Sequence, residues 1–79
     1  MLVKFYLKNF HNFKDSNLIS KNLIEIEKDI NHVPRKFDFI VLRYENMLLT
    51  SEINKVIIDL TEEKEIFSVY GEIRKIEKE

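Results

Sequence analysis

Eight consecutive residues, Phe37–Tyr44 (Phe-Asp-Phe-Ile-Val-Leu-Arg-Tyr), constrain the fold of this chain more than any other stretch. They are rich in β-branched and aromatic side chains and contain neither Gly nor Pro. Strand side chains point to opposite faces at alternate positions. Phe37, Phe39 and Val41 therefore share one face, and Ile40, Leu42 and Tyr44 share the other. Both faces are apolar, so the stretch is expected to be a strand in the middle of a sheet, covered on both sides. A helix fits less well, because eight residues are few and turn residues lie close on either side.

The segments around it supply the other layers. Leu2–Phe10 alternates: Val3, Phe5 and Leu7 form an inward face, while Lys4, Tyr6, Lys8 and Phe10 form a basic, aromatic outer face. Asn9–Ser16 reads as turn, with Phe10 and Phe13 as anchors. Ile19, Leu23, Ile26 and Ile30 recur at helical spacing, so residues 17–31 are expected to form a helix capped by Asp15 or Ser16 and ended by Val33-Pro34. Ile24, Ile26 and Ile30 also fit one face of a strand. Glu45-Asn46 is the expected turn after the central stretch, followed by a short strand over Met47–Glu52.

Lys55–Thr61 alternates with Val56, Ile58 and Leu60 inward, and residues 61–65 form a charged hairpin loop. Ile66–Ile76 closes the chain as a strand. Gly71, the only Gly, falls inside that strand and marks a bulge or a close backbone approach. Ile73 and Ile76 differ in parity, which a bulge would also reconcile. The charged tail Glu72–Glu79 suits an exposed edge. The expected architecture is α+β: a single domain over 1–79 with one helix on a mainly antiparallel sheet of four or five strands. If residues 17–31 are strand, a small all-β barrel is the alternative.

Composition narrows the function classes. The chain has 79 residues and no Cys, so neither disulfides nor thiolate chemistry is available and a reducing, cytoplasmic setting is expected. A domain this small has a marginal core, which a homodimer would supplement. No signal peptide is expected, because Lys4 and Lys8 interrupt the first apolar run, and no window reaches the length of a membrane span. The net charge of -1 gives no overall basic field, although residues 1–21 carry four Lys against Asp15 alone.

Catalytic and metal motifs are weak throughout. His11 and His32 each lack clustered ligands, so no metal or cofactor is expected. No Gly-x-Ser-x-Gly elbow surrounds Ser16, Ser20, Ser51 or Ser68, and one Gly cannot build a phosphate loop. The chain is accordingly read as no enzyme. Two binding readings remain. In the first, a small protein-binding module docks on another protein, such as a nucleic-acid enzyme, as an inhibitor or adaptor of the kind phages and mobile elements encode. Asp59, Glu62, Glu63 and Glu65 would meet a basic groove, with Tyr44 and Tyr70 as interface aromatics. In the second, Lys4, Tyr6, Lys8 and Phe10, extended by Lys14, hold nucleic acid by charge and stacking.

Overall fold

The computed structural model describes residues 1–61 and 63–79. Five strands form one mixed sheet: β1 (Leu2–Lys8), β2 (Leu23–Asp29), β3 (Phe39–Tyr44), β4 (Met47–Asp59) and β5 (Ile66–Lys78). Their order across the sheet is β2-β1-β5-β4-β3. β1 runs antiparallel to β2 and parallel to β5, while β4 is antiparallel to both β5 and β3. Among the described residues no helix is long and apolar enough to cross a membrane.

The expected helix over residues 17–31 does not form, so the α+β architecture is replaced by an open all-strand sheet. Only Ser16–Leu18 makes a 3-10 turn, and Asp15, at φ 65°, gives it no side-chain cap. Leu23–Asp29 instead pairs with β1 over seven residues, from Leu2 opposite Asp29 to Lys8 opposite Leu23. The strand reading of the isoleucines wins. Ile24 is buried and Ile26 and Ile30 pack against the core, whereas a helix here would lack a capping box and carry several Asn and β-branched Ile residues that form helices only moderately well. Nor does the sheet close into the alternative barrel, because the order leaves β2 and β3 as separate edges.

Phe37–Tyr44, expected at the centre of the sheet, does not lie there. That stretch is the rim, and its outer face is bare. β5, read as the charged closing edge, lies at the centre. Phe67–Glu72 pairs with β1 on one side, and β4 pairs along the whole length of β5 on the other. Charges of β5 are paired: Arg74 bonds Glu52 of β4 at 2.8 Å and Glu72 of its own strand at 3.1 Å.

One face of the sheet carries the core. Val3, Phe5, Leu7, Ile24, Leu49, Ile53, Val69, Ile73 and Ile76 are all buried there. Two bulges bend the sheet around them. Arg74 is the extra residue between the pairs Thr50–Lys75 and Ser51–Ile73, which is how Ile73 and Ile76 can both face inward. Asn54 is the extra residue between Ile53–Gly71 and Lys55–Tyr70. The curl is deep enough that Phe5 of β1 shares a groove of about 530 Å³ with Ile40 and Leu42 of β3, three strands away.

Asn9 secures the loop that covers one end of this core. It is buried, its Nδ2 donates to the carbonyls of Ser16 (3.0 Å) and Ile19 (3.2 Å), and its Oδ1 accepts from the His11 N–H (3.2 Å). At the opposite end the β4–β5 arm outruns the core. Ile58 and Leu60, expected inward, are 54% and 68% exposed.

Candidate functional surfaces

Two surfaces stand out. The first is the outer face of the sheet, where in-register pairing of parallel β1 and β5 sets Tyr6 beside Tyr70. Their rings stack at 5.0 Å between centroids with 18° between planes. The Asn54 bulge then turns Lys55 onto the same face, and its Nζ sits 4.8 Å from the Tyr70 centroid. Lys8 stands 6.0 Å from the Phe10 ring, and a groove of about 440 Å³ runs between Leu23, Lys8, Phe10 and the tyrosines. Lys4, Tyr6, Lys8 and Phe10 are thus neighbours, as their alternation implied, and Tyr70 and Lys55 join them. Lys14 is exposed in the turn before the 3-10 element and does not line this groove. The face is electrically mixed. Lys4 pairs with Glu27 at 3.7 Å, Glu25 stands opposite Tyr6, and Glu72 stands opposite Lys8.

The second surface is the rim. Phe37, Phe39 and Val41 are 68%, 63% and 60% exposed, although β3 lies in a chain with a small core to fill. Phe39 and Val41 share the outer face with Glu52 and Thr50 of β4. Phe37 precedes the strand at φ 77°, a left-handed conformation that a bulky side chain rarely adopts. Its N–H donates to the Ile53 carbonyl at 2.7 Å, and the Asp38 carboxylate accepts from the Arg35 N–H at 2.8 Å, which together hold the turn. At the far end of the strand, Arg43 Nε donates to both carboxylate oxygens of Glu79 at 3.0 Å. That pairing raises the guanidinium pKa and lowers that of the Glu79 carboxyl.

Of the expected acidic contact residues, Asp59 has a local partner. Asp59 Oδ1 accepts from the Thr61 hydroxyl at 2.6 Å and its N–H at 2.9 Å, which lowers the Asp59 pKa and commits the side chain to the turn. Glu63 and Glu65 are exposed in the β4–β5 loop, and Glu62 lies outside the described residues. Tyr44 is half-buried and packs against the core. His11 Nε2 lies 3.1 Å from Asn22 Oδ1, and among the described residues no three His, Asp or Glu side chains converge on a common point.

No family model, curated protein or solved structure matches this chain. Sequence alternation located Phe37, Phe39 and Val41 on one face but assigned that face to the interior. Lys55 carried an outward parity without any sign of the aromatic pair it would meet, since that meeting depends on which strands become neighbours.

Proposed function

We propose that the protein is a small non-enzymatic protein-binding module, an adaptor or inhibitor, whose docking surface is the rim strand β3. The observation that carries this reading is the pair Phe39 and Val41, left uncovered on an edge strand, with Phe37 exposed in the turn just before it. An edge offers unpaired backbone donors and acceptors, and a partner strand that adds to it gains main-chain hydrogen bonds together with apolar side-chain contacts. A cytoplasmic site of action is part of the proposal and is supported by a composition free of Cys. The acidic loop Glu63–Glu65 is secondary, because Asp59 is already engaged by Thr61.

A second reading has its own observation. The Lys55–Tyr70–Tyr6 row with Lys8 and Phe10 combines cations and aromatic rings as single-strand nucleic-acid surfaces do. It ranks second for two reasons. The Tyr70 ring already has Tyr6 stacked on it and Lys55 over it, and the surrounding carboxylates cancel most of the positive field.

Affinity capture from lysate tests both readings, with wild type and Val41→Lys as parallel baits and with and without nuclease. A protein captured by wild type, resistant to nuclease and lost with Val41→Lys is the expected result. A partner retained equally by Val41→Lys contradicts the rim as the site. Recovery of nucleic acid alone, weakened by salt and by Tyr6→Ala, selects the second reading.

A further inference from the structure

We propose that β3 pairs antiparallel with β3 of a second copy of this chain, so that one sheet runs continuously across a two-fold axis. This inference rests on the reading of β3 as the docking strand and gives that strand a further occupant, a copy of this chain. Three observations carry it, and the area sets its strength.

The two edges of the sheet are treated differently by the sequence. β2 bears Glu25, Glu27 and Asp29 on its outer face, charges of the kind that keep edges from pairing. Between Phe39 and Leu42, β3 carries no charge, no Pro and no bulge. Only one of the two edges is guarded.

The Phe37 ring is also unused by the core of a single copy, although hydrogen bonds within the copy hold its turn. The Phe37 backbone occupies φ 77°, which costs a bulky residue strain, and its ring stays exposed with Lys36 Nζ over it at 5.0 Å. A residue held in a disfavoured conformation with its apolar surface outward is accounted for when a partner uses that surface.

The rim is self-complementary. A two-fold axis through Ile40 sets Phe39 against Val41 of the copy, twice, and leaves Arg43 at the ends of the row, so no like charges meet. The same operation on β2 would set Glu25 against Glu27 of the copy. Association through the rim therefore closes at two copies.

Finally, the area fixes the strength. Two mostly exposed Phe rings and one Val offer on the order of 300 Å² per copy, well short of the ~800 Å² per partner of a standard stable interface. The dimer is therefore weak and concentration-dependent, with a dissociation constant on the order of micromolar or above.

Sedimentation analysis from about 1 to about 500 µM reads this directly. The expected result is a mass that rises from one copy to two and no further. Val41→Lys should weaken the dimer by about tenfold or more. Phe37→Gly should weaken it too while leaving thermal unfolding of the diluted monomer unchanged or improved, because Gly accepts a positive φ without strain. That second variant keeps the test decisive should the first perturb folding. A single copy at every concentration overturns the inference, and so does a dimer of wild-type strength in both variants. Neither result bears on the lysate capture, where β3 would take a different protein, so failure of the dimer and failure of the docking reading are told apart.

Discussion

At Gly71 and Ser51 single atoms set what the sheet tolerates. A Cβ on Gly71 would lie 2.8 Å from the Glu52 carbonyl oxygen, 3.2 Å from Ile53 Cδ1 and 3.3 Å from Leu7 Cδ2. The closest of these is backbone beside the Asn54 bulge, so it yields only if the β4–β5 pairing shifts. Gly71→Ala should lower stability by about 1–3 kcal/mol, the usual range for overpacking, as read by urea unfolding. An unchanged midpoint would mean that β4 and β5 are not this close. Ser51 presents the opposite case. It is fully buried opposite Ile40 and Ile73, and its Oγ has no hydrogen-bond partner among the described residues. Ser51→Ala removes an unpaired buried hydroxyl and should raise the same midpoint, by about 1 kcal/mol of stability. A loss of stability would show that the hydroxyl is satisfied.

At the level of elements, the β3–β4 hairpin is tied down at its turn. Tyr44 pairs with Met47 across Glu45-Asn46, Glu45 takes φ 56°, the Glu79 N–H donates to the Asn46 carbonyl at 3.0 Å, and the Glu79 carboxylate holds Arg43. The pKa of Glu79 is depressed in the folded chain by that bond to Arg43, so its contribution is present above the ordinary carboxylate range and is lost as pH falls through the folded value. Glu79→Gln should therefore reduce stability near neutral pH and leave it unchanged in acid, where the wild-type carboxyl is already protonated. Melting curves across pH 2–7 for both proteins check this, and parallel curves would argue against the tie.

Local pattern made much of this legible. The Glu45-Asn46 turn, the inward Val3-Phe5-Leu7 face, the close approach at Gly71 and the mixed parity of Ile73 and Ile76 all follow from short-range rules. The isoleucines of residues 19–30 were ambiguous because spacings of two and of three to four overlap in so short a run. Tertiary pairing with β1 decided between them.

At the scale of the whole molecule, the decisive information is which strands become neighbours, and no local pattern encodes it. β1 and β5 are separated by nearly the full chain yet pair in parallel, which brings Tyr6 to Tyr70 and moves β5 to the centre. Phe37–Tyr44 is displaced to the rim by the same arrangement. Its doubly apolar pattern, the mark of a covered strand, is met on the inner face by Ile40 and Leu42 against the core and is left open on the outer face. Amide hydrogen exchange at a concentration low enough to keep the chain monomeric tests this placement most directly. The amides of Phe67–Glu72, bonded into strands on both sides, should exchange slowest of all, while alternate amides along Phe39–Tyr44 exchange fast because one side of β3 has no partner. Uniform strong protection along Phe39–Tyr44, with faster exchange in Phe67–Glu72, would put the octapeptide back at the centre and contradict the account.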